Sequence, residues 1–112
     1  MKLSDKYIRL NRLLENDFNV INNKLIDQEN KSKYNTVVIK PFPLITKSVI
    51  DCGSYSEDIF NLFCYGKDDF EALLNAEKSK SMLEEDRITI YSAIEPVELS
   101  SGIPAYIFKI KI

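Results

Sequence analysis

Two clusters of carboxylates are the side chains whose types and spacing could hold a metal ion. Asp68, Asp69 and Glu71 form the first cluster, and residues 84–86 form the second. Carboxylate oxygens bind Ca²⁺, but a Ca²⁺ loop needs alternating ligands, a central glycine and a distal glutamate. Neither cluster has that spacing, and the first is typical of a helix N-terminus, where negative charge is favoured. We therefore predict that the protein binds no metal and no other cofactor.

Catalytic groups are also few. The 112 residues include no histidine, which is the commonest general base and metal ligand. Cys52 and Cys64 lie among apolar neighbours, so both are predicted to be buried free thiols. The three glycines, at positions 53, 66 and 102, predict no phosphate-binding loop. We expect no enzymatic activity and no small-molecule substrate; a nuclease site assembled from distant carboxylates and a lysine is the alternative.

Size and charge place the chain among small globular proteins. Its length predicts a single folding unit, and it has no apolar run near the roughly 20 residues that span a bilayer. The charged N-terminus has no apolar segment typical of a signal peptide, so we expect synthesis in the cytoplasm. Residues 1–47 carry nine Lys/Arg against five Asp/Glu, and residues 48–112 carry six against twelve. The basic half lacks a Lys/Arg cluster interleaved with aromatics, so nucleic acid is not expected as a partner.

The N-terminal region has a single apolar stripe. Its members recur at steps of three and four, which predicts an amphipathic helix, or a pair of helices, over residues 3–29. The stripe consists of Leu3, Tyr7, Leu10, Leu14, Phe18, Ile21 and Leu25. Asp17 could begin a second helix. Polar residues 27–35 predict a linker, which divides an N-terminal helical arm, residues 1–35, from a domain over residues 36–112.

Four strands are predicted in the second region, over residues 36–40, 44–52, 87–91 and 105–112. In the last strand Tyr106, Phe108 and Ile110 share one face, with Lys109 and Lys111 on the other. This strand runs on without a polar stop, and an unpaired strand of that kind is an aggregation site unless it is covered. We expect another protein chain to complete at least one of two surfaces, this strand or the N-terminal stripe, with the stripe favoured.

Two helices are predicted between these strands, which makes the fold class α+β. Ser54 and Glu57 have capping-box spacing and predict a helix that ends near Gly66. The apolar face of that helix would be formed by Ile59, Phe60, Leu62 and Phe63. Asp68 would cap the next helix. Its buried stripe would consist of Phe70, Leu73 and Leu74.

This order of elements resembles a known module. Tyr65-Gly66 stands between the two predicted helices, with Phe70, Leu73 and Leu74 four, seven and eight positions after the glycine. The pattern resembles the LysM-type βααβ module and is most similar to the LysM-like versions in baseplate and tail proteins of tailed bacteriophages. It covers residues 45–91. The segments around residues 53–55, 85–86 and 91–92 depart from the Gly-Asp-Thr, Pro-Gly and Pro of the module, so the resemblance implies a scaffold more than a glycan-binding site.

Three functions follow as hypotheses. The resemblance implies a structural or assembly protein of a tailed-phage virion, made in the bacterial cytoplasm and contacting other virion subunits through the N-terminal stripe and the face of Tyr106, Phe108 and Ile110. The first alternative is a small intracellular regulator or inhibitor that binds one protein. The second is a peptidoglycan-binding LysM module. A regulator would fold the N-terminal stripe onto its own core, whereas an assembly protein could leave the stripe for a partner.

Overall fold

The computed structural model describes residues 2–25, 34–41 and 58–112, which form two helices and a six-stranded mixed sheet. The elements are α1 (Leu3–Leu14), β1 (Asn19–Asn22), β2 (Thr36–Pro41), β3 (Ile59–Tyr65), α2 (Asp69–Glu85), β4 (Thr89–Ile90), β5 (Glu95–Val97) and β6 (Ala105–Lys111). The predicted α+β class is confirmed. Between residues 59 and 90 the order is strand, helix, strand, so the LysM-type βααβ arrangement is not shown. The strand predicted over residues 44–52 and the capping box of Ser54 and Glu57 lie outside the described residues.

The sheet has the strand order β1-β2-β3-β6-β4, and β5 also pairs with β6. β1 runs parallel to β2, and every other pairing is antiparallel. β4 and β5 pair with successive parts of β6, where Lys111 lies opposite Thr89 and Ile107 lies opposite Glu95. β6 therefore has neighbours on both sides, and its own chain covers the strand that the sequence analysis treated as a possible aggregation site.

Alternate side chains of the strands enter two different cores, because successive residues of a strand point to opposite faces. On one face the two helices cover Val37, Ile39, Phe60, Leu62, Cys64, Phe108 and Ile110. On the other face Val38, Phe63, Tyr65, Ile103 and Ala105 form a second cluster, joined by partly buried side chains such as Ile107 and Leu99. The central strands are thus covered on both sides.

The segment predicted as a helix around residues 59–63 is the strand β3, and this is the main correction to the sequence analysis. Ile59–Tyr65 pairs with β2 on one side and β6 on the other. Of its seven residues only Asn61 is not buried. A strand buried on both faces reads as a continuous apolar run, and the periodicity of such a run does not distinguish it from a buried helix.

The N-terminal helix is shorter than predicted. α1 ends at Leu14, and the turn at residues 15–18 leads into β1, so the predicted second helix is wrong. Asn16, Asp17 and Asn19 are poor helix formers. The β-branched Val20 and Ile21 lie opposite Val37 and Val38 in the sheet. Here the strand pairing overrides the helical spacing.

Candidate protein-binding surface

The start of α2 is fixed by a close approach of backbone and by a capping residue. Gly66 lies against the backbone of Glu71 and Ala72, where the Cβ of any other residue would collide. The Asp68 carboxylate accepts a hydrogen bond from the Glu71 N–H at 2.8 Å, as the sequence predicted for an N-cap. Glu71 accepts in return from the N–H of Lys67. Tyr65-Gly66 therefore joins a strand to a helix rather than one helix to another.

The face of α2 that meets the sheet is made of small residues. Ala72, Ala76 and Ser79 are fully buried there, together with Leu83. Small side chains allow the helix axis to lie close to the strands. The predicted buried stripe is wrong, because Phe70 is 68% exposed, Leu74 is 47% exposed and Leu73 is only partly buried.

Phe70 and Leu74 lie one turn apart on the outer side of α2, where their side chains are neighbours. We call the outward surface formed by Phe70, Leu73 and Leu74 the α2 face. Among the five large apolar side chains described as exposed, Phe70 is the most exposed. Charges of both signs border this face: Glu71, Glu77 and Lys78 each lie about one turn from Leu74. Lys67 lies three residues before Phe70.

The Tyr106 hydroxyl, which donates to the Asp69 carboxylate at 3.0 Å, ties the start of α2 to β6. This hydrogen bond to a carboxylate, ahead of desolvation, raises the pKa of Tyr106 above its ordinary value. Tyr106 is half-buried, and its ring packs against the core beneath the helices. The α2 face is therefore presented on a helix whose first turn is held at several points.

A groove lies beside the start of α2. It has a volume of about 650 Å³ and is lined by the β5–β6 hairpin. Most of its wall is apolar, with Val97, Leu99, Ile103 and Pro104 among the lining residues, and its charged lining residues are Asp69 and Glu98. The hairpin turn closes through the Gly102 N–H, which donates to the Leu99 carbonyl at 2.9 Å, and Gly102 has a positive φ of 74°. These two carboxylates make the groove acidic where it meets the start of α2.

A second surface feature lies on α1. Ile8 is 50% exposed and points away from the buried Leu10 and Leu14. It lines a shallow depression of about 410 Å³. The other residues that line this α1 depression are Asp5, Arg9, Arg12 and Leu13. Its wall combines apolar carbons with charges of both signs, and the guanidinium of Arg9 is already paired with Asp86.

Two ion pairs define how the helices lie against each other. The guanidinium of Arg9 pairs with the Asp86 carboxylate at 2.8 Å, at the C-terminal end of α2. The Lys78 ammonium lies 3.4 Å from the Asp17 carboxylate, just past the end of α1. The helices are consequently antiparallel and staggered, and the first half of α2 extends beyond α1.

Most of the predicted partner-binding residues belong to the protein's own cores. Leu10, Leu14, Phe108 and Ile110 are fully buried, Phe18 is 5% exposed, and Tyr7, Ile21, Leu25 and Tyr106 are partly buried. Leu3 is 46% exposed, because the first turn of α1 extends past the core. The chain itself thus covers most of both apolar surfaces, so the prediction that another chain completes at least one of them, with the stripe favoured, loses its premise. Ile8 was not predicted as a surface residue of interest because it lies off the stripe, and Phe70 and Leu74 were predicted to lie in the core.

Cys64 is a buried free cysteine, as predicted, and Cys52 lies outside the described residues. Burial raises the pKa of the Cys64 thiol from 9.0 to about 12, although its hydrogen bond with Ser79 at 3.3 Å lowers it. The group is therefore a neutral thiol at physiological pH, and the thiolate is the nucleophilic form. Within the ranges that the structure describes, no three His, Cys, Asp or Glu side chains come together in a way that could hold a metal ion.

The helices that the structure describes are too short or too polar to cross a membrane. A scan against protein-family models gives no match for this chain, and a search of curated proteins gives none either.

Proposed function

We propose that this protein is a non-enzymatic assembly protein that acts through protein–protein contacts made by its helical side. The observation that carries the proposal is the exposure of Phe70 and Leu74, at 68% and 47%, on a helix whose opposite face is fully buried. Aromatic side chains are enriched at protein interfaces, since they bury a large area at a small cost in conformational entropy. The hydrogen bonds of Asp68 and Tyr106 hold these two side chains on a rigid element, which lowers the entropy cost of binding.

Charge supports a protein partner more than a nucleic acid. Glu71 and Glu77 border the α2 face together with Lys67 and Lys78, so the face has no basic cluster of the kind that binds phosphate groups. A partner surface with apolar side chains and charges of both signs at its rim fits this face.

The setting that we propose is the virion of a tailed bacteriophage, in its tail or baseplate. This setting is supported by the sequence resemblance alone, whose helix-Tyr-Gly-helix element is a strand-Gly-helix element in the structure. The burial of Leu10, Leu14 and Phe18 supports the alternative of a small regulator or inhibitor of one protein, because a regulator would fold this stripe onto its own core. A peptidoglycan-binding role would need a glycan site, and the groove of about 650 Å³ beside α2 has the volume for one.

Sedimentation of the native protein separates the two leading proposals. A lysate of the cells that naturally produce the protein is fractionated on a density gradient, and the protein is followed by immunoblotting. An assembly protein is expected with large particles at a constant ratio to their major subunit, and Phe70→Glu is expected to shift it to the light fractions. Recovery of the wild-type protein only in light fractions, with one partner of ordinary size, would contradict the assembly role and support the regulator.

A further inference from the structure

From the groove beside α2 we infer a second binding site, which takes an extended segment of a partner protein that carries an arginine next to apolar side chains. The groove lies between the start of α2 and the β5–β6 hairpin. Phe70 and Leu74 are not among its lining residues, so this site is separate from the α2 face. The inference rests on the proposed function in one respect only, that the partner is a protein.

The wall of the groove can bury apolar side chains of such a segment. Val97, Leu99, Ile103 and Pro104 supply most of its apolar surface. The first three of these also pack in the second core cluster, which holds the wall in place. The groove is open to solvent rather than enclosed. An open groove suits a chain that enters and leaves it, whereas small molecules are mostly bound in clefts that surround them.

The charge of the groove favours a cationic ligand. Asp69 and Glu98 are its charged lining residues, and both are exposed. The sequence has no Lys or Arg from Ile88 to Phe108, the stretch that includes the hairpin. Lys67 precedes Asp69 by two residues but does not line the groove. A positive charge on the ligand therefore meets two carboxylates here and no lining cation.

The Asp69 carboxylate is held in a fixed orientation, because the hydroxyl of Tyr106 donates to one of its oxygens at 3.0 Å. The positive end of the α2 dipole, which favours an anion, is already met by the carboxylates of Asp68 and Glu71. A guanidinium pairs side-on with a carboxylate and is weakly hydrated, so it can also lie against apolar surface. Arginine therefore fits this site better than lysine, whose ammonium is strongly hydrated.

The edge of β5 does not favour a segment that binds by adding a strand. Gly66 donates to the carbonyl of Pro104 at 3.2 Å on the β3 side of β6, so the backbone of the next residue, Ala105, points toward β5. Its partner Val97 therefore bonds with β6, which leaves Pro96 facing the outer edge. Proline has no N–H to donate to an added strand. The segment is consequently expected to bind through its side chains.

The test is a titration of the purified, isotope-labelled full-length protein with short capped peptides, followed by the NMR shifts of its amides. Acetyl-Leu-Arg-Leu-amide is expected to bind with a dissociation constant of about 0.1–1 mM, as for a short flexible ligand. The signals of Val97, Leu99 and Gly102 are expected to shift. Glutamine in place of the arginine, or glycine in place of both leucines, should each weaken binding about tenfold.

Two isosteric variants locate the binding in the groove. Asp69→Asn removes a charge and keeps an acceptor for the Tyr106 hydroxyl, and Glu98→Gln removes the second charge. Each is expected to raise the dissociation constant about threefold, as for an exposed ion pair, and added salt should have a similar effect. Glu95→Gln is the matched control, because Glu95 is an exposed glutamate of the same hairpin that does not line the groove, and it should bind as the wild type does.

Equal binding of the arginine and glutamine peptides, equal losses in all three variants, or no binding up to about 10 mM peptide would each overturn the inference. A neutral N-acetylglucosamine oligosaccharide is titrated in parallel. Groove shifts with this sugar and none with the arginine peptide would overturn the inference and support the peptidoglycan-binding alternative. Loss of the peptide site alone leaves the assembly role standing, because sedimentation of Phe70→Glu tests that role separately.

Discussion

The ammonium of Lys6 donates to the carboxylate of Asp58 at 2.8 Å, and this pair connects the first helix to the start of the central strand. Lys6 is 3% exposed, and the Asp58 side chain is 42% exposed. Asp58 also extends the ladder of the sheet, since its N–H and carbonyl each bond with Ile112 at 3.0 Å. The pair thus holds α1 against the end of the sheet where β3 begins and β6 ends.

Removal of the Asp58 carboxylate should lower the free energy of unfolding more than removal of the Lys6 ammonium. Asp58→Ala leaves a lysine in a buried position without its carboxylate, and we expect a loss of about 1–3 kcal/mol in the free energy of unfolding, since solvent reaches the Asp58 side and weakens the pair. Lys6→Met keeps the buried hydrocarbon stem and removes the charge, and should cost less than Asp58→Ala. Urea denaturation of the two variants measures the difference. Equal losses would show that the charge of Lys6 is not the source of the effect.

A side chain added at Gly66 should cost more stability than one added at Gly102. Gly66→Ala forces a methyl group into the backbone of α2, and we expect a loss of about 1–3 kcal/mol or more, because neither backbone can move without displacing the helix. At Gly102 an added Cβ meets nothing within 4 Å, and only the positive φ of 74° is unfavourable. Gly102→Asn should therefore be tolerated within about 1 kcal/mol. Thermal unfolding of both variants provides the measurement, and a smaller loss at Gly66 than at Gly102 would contradict the described contact.

The exposure of Phe70 gives a prediction opposite to that of the sequence. A core phenylalanine would cost about 3–5 kcal/mol when truncated to alanine, but Phe70 is exposed, and we expect Phe70→Ala to cost less than about 1 kcal/mol. Leu83→Ala, on the buried side of the same helix, should cost about 2–5 kcal/mol. Urea denaturation of the two variants measures both losses. Similar losses would mean that Phe70 is buried.

The local signals in the sequence predicted several elements correctly. The β-branched residues 36–40 are in β2, the alternation after residue 105 is in β6, and Asp68 caps α2. Each of these signals acts within a few residues of chain. In β6 the alternation of side chains also predicted correctly which residues face the core, since Phe108 and Ile110 are fully buried on one side.

The incorrect predictions concern elements whose structure depends on residues distant in the sequence. β3 is apolar on both faces because β2 and β6 place it in the centre of the sheet, and its own residues do not reveal those neighbours. The orientation of α2 likewise depends on how close its axis comes to the sheet. Ala72, Ala76 and Ser79 can approach closely, whereas Phe70 and Leu74 could not, although they are the more apolar residues. The candidate surface was missed for the same reason.

The thiol of Cys64 provides the last prediction, on pH dependence. Its pKa is about 12 in the folded protein and 9.0 as its ordinary value, so between these two pH values the unfolded chain releases a proton that the folded chain retains. The thiol's contribution to the free energy of unfolding is therefore fully present below pH 9. It falls as the pH rises toward 12, by about 1.4 kcal/mol per pH unit. Between pH 9 and pH 10.5 the wild type should lose about 2 kcal/mol relative to Cys64→Ala, with Cys52 common to both proteins. Urea denaturation across this range measures the difference. Parallel pH profiles would mean that the Cys64 thiol ionises as readily in the folded protein as in the unfolded chain.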